Sequence, residues 1–445
     1  MTFEKAVRLL DALVNYERQA SPRTEFKLDS IRRFLALAGN PQAKLRNVVL
    51  VAGTKGKGSV CYMLEAALRG CGAGTGLFLS PHVTTVLERI QLDGEPIDKR
   101  GFGRLMGELA PVLRRQKVSY FELTAALAFE AFRRADVDYA VVEVGLGGRL
   151  DATNLTEPQV SVITRIGYDH VQVLGSSLTA IAREKAGIMR PGRPVVVSAQ
   201  ESVARAELAR HAREVGAELI ESQKVTRVWD VESGIRGVSF SVLAALGAGR
   251  VAVPLLGRHQ VENCTTVLTV LGLLAKSDPR IRFEPVVEAL ARVSVPARCQ
   301  LVRLDSSIQN PKSKTQDPWP SVVIVDSSHN PESGAALAAL VSEVLTQKVI
   351  LIFGALRGKL IARTVAPLAP WTEHAVLVRP DSPRAADLVV LKQAFGRFGV
   401  PYSAATGIAD ALKQARALAE GTRPIVVAGS FYLAGEALSL LSDRP

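Results

Sequence analysis

Cysteine is scarce in this sequence, with four residues in 445, at positions 61, 71, 264 and 299. They are scattered and show no metal-ligand spacing. That excludes a zinc ribbon or a disulfide-stapled scaffold and leaves buried free thiols in a reducing compartment. Aromatic residues are only 5% of the chain, and no lysine or arginine run interleaves with them. The stacking surfaces of a nucleic-acid binder are therefore missing. No apolar run reaches about 18 residues, so no membrane-spanning helix is expected. Residues 1–16 are amphipathic and charged, without the pattern of a secretory leader. These absences point to a cytoplasmic protein with neither a membrane nor a nucleic-acid partner.

An apolar fraction of 47% and a charged fraction of 22% are globular values, and 445 residues suffice for two or three domains. Fifty-five basic residues against 43 acidic ones leave a net charge of +12. That balance suits anionic small substrates. Strand-like runs at 47–52, 139–144, 159–164 and 194–198 alternate with helical stretches such as 122–135 and 176–189. This is the rhythm of a mainly parallel sheet with helices on both faces. Residues 225–255 are valine-rich and glycine-punctuated, which predicts a small antiparallel patch. A helix follows from near Gln260. The rhythm restarts after Val295-Pro296, with strands near 322–325, 349–353, 374–378 and 424–428. The expected architecture is α/β: a P-loop-type domain over 1–296, then a smaller Rossmann-like α/β domain over 297–445. Residues 306–320, polar and proline-punctuated, read as a mobile surface loop.

The chemistry concentrates where strands end. After the apolar run 48–52 comes Gly53-Thr54-Lys55-Gly56-Lys57-Gly58-Ser59, opening a helix expected over 60–68. Glycines let backbone N–H groups close on phosphate oxygens, a lysine offsets their charge, and a hydroxyl can hold Mg²⁺. Gly58 separates lysine from serine, unlike the common P-loop spacing. An ordinary strand–helix turn is the competing reading. Glu143 ends a second apolar strand, where a carboxylate needs a cation, an ion-pair partner such as Arg149, or backbone donors. Thr164, Asp169 and His170 follow a third strand. In Glu184-Lys185-Ala186-Gly187-Ile188, Lys185 is either a surface lysine or, beside a divalent cation, a carbamate. In the second half, Asp326 can accept ribose hydroxyls and His329 can meet a base, while Asn330 and Pro331 can cap and open a helix.

These stretches, with Leu37-Ala38-Gly39-Asn40-Pro41, Ser80-Pro81-His82, Phe121-Glu122, the run 143–154, Gly257-Arg258-His259-Gln260-Val261-Glu262-Asn263 and the motif at 429–436, resemble the folylpolyglutamate synthase/dihydrofolate synthase family of the Mur ligase superfamily. The resemblance spans nearly the whole chain, and the 143–154 run is its most specific part. It implies ATP bound by Gly53, Thr54, Gly56, Lys57, Gly58 and Ser59 together with Asn263, Arg298, Asp326 and His329. It implies Mg²⁺, as two ions, held by Ser59, Glu143 and His170, with Lys185 carbamylated. Lys57, Glu143, His170 and Lys185 would be catalytic. Ser80, Pro81, His82, Phe121 and Asp151 would meet the acid substrate, which is dihydropteroate or a reduced folate, with L-glutamate as the second substrate. A monomer is expected. The sequence departs from the family pattern at Lys55, at Ser327-Ser328, at Cys299 after Arg298, where the usual tryptophan and glycine are absent, and over 354–360. A Mur-type ligase acting on another acid and a non-catalytic nucleotide-binding relic are the alternative readings.

Overall fold

A computed structural model describes residues 1–16, 27–303 and 322–442. The loop expected at 306–320 lies outside them. The chain divides into two compact units, one of residues 1–231, 239–253 and 259–293, the other of 232–238, 254–258 and 294–445.

The first unit is built on eight strands: β1 (Val48–Ala52), β2 (Thr75–Phe78), β3 (Ile90–Leu92), β4 (Glu95–Pro96), β5 (Tyr139–Glu143), β6 (Pro158–Ile163), β7 (Pro194–Val197) and β8 (Glu218–Glu221). Their order is β4-β3-β2-β5-β1-β6-β7-β8. From β2 to β8 neighbours run parallel, and only β3 and β4 are antiparallel additions. Every residue of β1 and β5 is buried. Central parallel strands are covered on both faces, so they read as unbroken apolar runs. Val48, Leu50, Ala52 and Val142 share a core with Leu123, Leu127, Phe129 and Phe132 of the helix Tyr120–Ala135. Burying each such side chain contributes about 1.5–3 kcal/mol. The helix Lys57–Gly70 packs on β1 and β5 and on the helices His259–Leu274 and Phe283–Leu290.

β9 (Arg227–Gly234), β10 (Gly237–Ala244) and β11 (Gly247–Val253) form a three-stranded sheet in the order β11-β10-β9. Their two-residue connections permit only antiparallel pairing, as the valine-rich pattern predicts. The second unit holds β12 (Gln300–Arg303), β13 (Val322–Val325), β14 (Val349–Phe353), β15 (Thr372–Leu377), β16 (Tyr402–Ala404) and β17 (Ile425–Ala428), ordered β12-β13-β17-β14-β15-β16. All neighbours are parallel except β12 with β13. Phe353 and Phe395 meet edge to face at 5.3 Å in its core. All four cysteines are free and buried. Among the described residues no helix is long and apolar enough to cross a membrane.

Candidate active site

In the first unit the site gathers at the carboxyl ends of β1, β5 and β6, where open α/β sheets bind ligands. Val51 and Glu143 are register partners, so the phosphate loop and the carboxylate leave the sheet at one level. Two glycines make the loop possible. Gly53 has φ +147°, and a Cβ there would stand 1.8 Å from Thr164 Oγ1. Gly56 has φ +88°, and its Cβ would stand 2.3 Å from Asn263 Oδ1. Only glycine satisfies both demands. Asn263, on another helix, is thus seated directly on the loop.

The helix after the loop begins at Lys57, and its first closing bond is Val60 N–H to Gly56 O at 2.9 Å. The N–H groups of Lys57, Gly58 and Ser59 precede that bond and belong to the donor-rich helix end that takes anions. Thr54 has a different task from the one its place in the loop predicts. Its N–H donates to Arg165 O at 3.0 Å and its hydroxyl to Gly167 O at 3.2 Å. Thr54 therefore anchors the loop to the segment after β6, and its donor hydrogens are not turned to phosphate. Lys55 N–H shares the Arg165 carbonyl, at 3.1 Å.

Glu143 is buried, with Oε1 3.8 Å from Lys57 Nζ and Oε2 accepting from Ser80 N–H at 3.1 Å. Arg149 is not its partner: that guanidinium forks onto Glu184 Oε1 at 2.8 and 3.1 Å. Ser59 is buried in the first turn of the helix. His170 lies beyond β6, φ +48°, opening the short helix Val171–Leu174. Its side chain is 55% exposed and 3.8 Å from Asp169. Lys57, Ser59, Glu143 and Ser80 are thus brought to one place, while His170 stands on a separate, open segment. No group of three or more His, Cys, Asp or Glu side chains among the described residues forms a metal cluster. The oxygen donors Glu143 and Ser59 nonetheless suit Mg²⁺, which binds through a few hard oxygens plus water and substrate phosphate.

Lys185 is not a surface lysine. It is 4% exposed, and Nζ donates to Gly53 O at 2.8 Å. Burial, then the Lys57 charge, pull its pKa down to about 7, against weaker support from Asp169 and Asp151. It is a buried amine fastened to the phosphate loop.

The 143–154 run works largely as a brace for Lys185. Arg149 N–H donates to Glu184 O at 2.8 Å, and Asn154 Nδ2 bridges Arg149 O and Gly187 O at 3.1 and 3.0 Å. A Cβ on Gly148 would stand 2.8 Å from Glu184 O. Asp151, expected to meet the acid substrate, is held by local donors. It is buried and accepts from Leu146 N–H, Thr153 N–H and the Thr153 hydroxyl at 2.8, 2.9 and 2.5 Å. Burial raises its pKa. It caps the turn Ala152–Leu155 and holds the run's shape. Phe121 packs its ring on Gly145 and lies 5.8 Å from Phe78. Pro81 is exposed, and His82 accepts from Arg89 Nε at 2.9 Å.

In the second unit Arg298 hydrogen-bonds the Ser327 hydroxyl and lies 5.0 Å over the Phe431 ring. His329 approaches the same ring at 5.6 Å. Phe431 was not singled out as a site residue, although it falls in the 429–436 motif. An aromatic residue directly after Gly429-Ser430 at a strand end is the signal. Asp326, expected to accept ribose hydroxyls, is held by local donors. Its two oxygens receive Cys299 N–H and S–H and Ser328 N–H and O–H, which fills a carboxylate's four acceptor positions. Ser328 and Cys299 are departures noted in the sequence, and together they supply all four of those donors. Asn330 caps the helix Pro331–Leu340 and accepts from Ser333 N–H.

Models of known families match over most of the chain: the Mur ligase middle domain over residues 51–271 and the Mur ligase glutamate ligase domain over 313–431. The dihydrofolate synthase/folylpolyglutamate synthase of Mycobacterium tuberculosis is 30% identical over 96% of this chain and 93% of its own length. The chain belongs to the folylpolyglutamate synthase/dihydrofolate synthase family. A relative from Halobacterium salinarum, named a probable bifunctional folylpolyglutamate synthase/dihydropteroate synthase, is 30% identical over 98% of this chain but 51% of its own length. The chain thus spans about half the length of the haloarchaeal relatives it matches. Solved structures of the family superpose along the chain. Mycobacterium tuberculosis folylpolyglutamate synthase complexed with ADP gives a TM-score of 0.86 at 29% identity, covering 100% of this chain and 99% of that one. E. coli FolC in complex with DHPP and ADP gives 0.84 at 26%, covering 100% and 98%.

Proposed function

We propose that the chain is an ATP-dependent ligase that joins L-glutamate to dihydropteroate, to a reduced folate, or to both. The observation that carries this reading is the phosphate loop with Lys57, Glu143 and buried Lys185 around it, in a chain of this family. A carboxylate is a poor electrophile, so it must first be activated. The acid's carboxylate oxygen attacks the γ-phosphorus of ATP, and the bond to ADP breaks. The glutamate amine then attacks the acyl carbon, the bond to phosphate breaks, and the amine gives up its proton. Lys57 and the N–H groups of Lys57, Gly58 and Ser59 stabilise charge on the transferring phosphoryl group. Mg²⁺, when bound, neutralises phosphate charge; Glu143 and Ser59 are the residues to hold it, with His170 as a further ligand. Asn263, seated on the loop, is read as a further contact of the nucleotide.

Lys185 is read as the carbamate site. A buried amine whose pKa falls to about 7 is largely neutral at mild alkaline pH, and only a neutral amine adds CO₂. As a carbamate it exchanges an unfavourable buried cation for an anion among cations. We further read the protein as a cytoplasmic monomer, consistent with four buried free thiols. A Mur-type ligase for a non-folate acid is the less favoured reading, since the named relatives act in folate metabolism.

The deciding experiment supplies purified full chain, MgATP and labelled L-glutamate with dihydropteroate or tetrahydrofolate side by side. The expected result is acceptor-dependent incorporation matched by ADP and phosphate release. ATP binding without incorporation on either acceptor would overturn the reading.

A further inference from the structure

Arg89 is 1% exposed, ends the 3₁₀ helix Val86–Arg89 and leads straight into β3. A buried guanidinium is costly unless its donors and its charge are matched. Its Nε–H donates to His82 Nδ1 at 2.9 Å. Its carbon lies 5.2 Å over the ring of Tyr120, the buried first residue of the helix Tyr120–Ala135. The preceding residue, Glu88, accepts from the N–H groups of Val83, Thr84 and Thr85 at 2.8, 2.9 and 2.8 Å. At the other end of the same loop, Ser80 N–H is on Glu143 at 3.1 Å. Two adjacent side chains, Glu88 and Arg89, therefore hold the loop that begins against the candidate active-site carboxylate.

The Arg89 bond also decides a protonation state. Arginine is a permanent donor with no acceptor, so the ring nitrogen it meets must be bare. The hydrogen of His82 then sits on Nε2, at the opposite edge of the ring. A doubly protonated ring would set N–H against N–H and cation against cation.

We propose that Arg89 is a positioning residue of the reaction. It fixes His82 as the neutral Nε2–H tautomer, and with it the donor edge and the setting of the 80–85 loop that takes the carboxylic-acid substrate. The substrate role of the loop rests on the ligase reading above; the tautomer does not. The chemistry that such an edge recognises is an oxygen or ring-nitrogen lone pair on the acid.

The test is a long-range ¹H–¹⁵N spectrum of the ¹⁵N-histidine-labelled full chain, with the His82 signals identified by their loss in His82→Gln. The expected wild-type pattern is a bare Nδ1 and a protonated Nε2. The opposite tautomer, or a doubly protonated ring, overturns the proposal even if the protein is a ligase. Steady-state kinetics give the second readout. Arg89→Met is expected to lose the single tautomer and to raise KM for the acid about tenfold, the worth of roughly one well-placed hydrogen bond, with KM for ATP unchanged. Arg89→Lys, which can still donate to Nδ1, is expected to recover part of both. If Arg89→Met does not fold, His82→Gln decides: an unchanged KM for the acid overturns the proposal. Failure of the wild type to ligate any folate acid, with the expected spectrum intact, would sink the ligase reading and leave the tautomer assignment standing.

Discussion

Lys185 occupies a place where its own charge is unfavourable. Burial is the largest cause of its lowered pKa, followed by the nearby Lys57 ammonium. Unfolded, the same amine titrates near the ordinary lysine value of about 10.4. Between about pH 7 and that value the unfolded chain holds a proton that the folded chain has released. Stability arising from this residue therefore rises with pH across that window, and the penalty is fully present below it. In CO₂-free buffer, Lys185→Met should be more heat-resistant than wild type at pH 7, and the gap should shrink steadily towards pH 10. A gap that is constant or widens would show that the buried amine is not the cause. Added bicarbonate should narrow the gap at pH 8, because CO₂ adds to the neutral amine of the folded chain and so draws the equilibrium towards it. Asp326 and Asp151 carry a different lesson at this scale. Asp326 follows β13 and Asp151 caps the turn Ala152–Leu155, and each is held by local donors that only the folded backbone brings in.

The phosphate loop shows how an element depends on a neighbour far away in sequence. Gly56 needs both its positive φ and the absence of a Cβ against Asn263. Left-handed backbone costs a non-glycine residue roughly 1–2 kcal/mol before any clash is counted. Gly56→Ala should weaken ATP binding at least about tenfold by titration calorimetry. Gly56→Ala should also lower the melting temperature, and adding Asn263→Ala should restore part of that thermal loss, since it removes the clash and leaves the strain. No recovery in the double variant would mean that the contact does not limit the loop. The central strands were legible because burial on both faces makes them continuous apolar runs, as in β1, β5 and β14. β4 and β8 were not. β4 is two exposed residues, Glu95 and Pro96, and β8 is the half-exposed Glu218–Glu221 at the sheet edge. The loop around Lys57 was legible because its residues are consecutive. The brace of Arg149 on Glu184 and the seat of His82 on Arg89 were not, because each partner is set by the fold.

At the scale of the molecule, each unit has its own apolar core, one around β1 and β5 and one around Phe353 and Phe395. Two cores predict two cooperative transitions in calorimetry, and a local change should move only its own. Ala297 tests this. It lies in the second unit with φ +53°, beside Arg298. Ala297→Gly should raise the second unit's transition by about 1–3 °C, corresponding to about 0.5–1 kcal/mol of relieved strain. A shift of the first unit's transition, or a fall in both, would show that the strain is not there. The thiols matter at this scale as well. Cys61, Cys71, Cys264 and Cys299 are buried, and burial raises the pKa of each, Cys264 to about 12. A thiol that stays protonated and at most slightly exposed, as Cys71 and Cys299 are at 8% and 9%, reacts slowly with maleimides and iodoacetamides. A single cysteine introduced at an exposed position such as Leu360 would then take up a fluorophore selectively in the native protein. The chain arrives ready for site-specific dye labelling, with no background cysteine to remove.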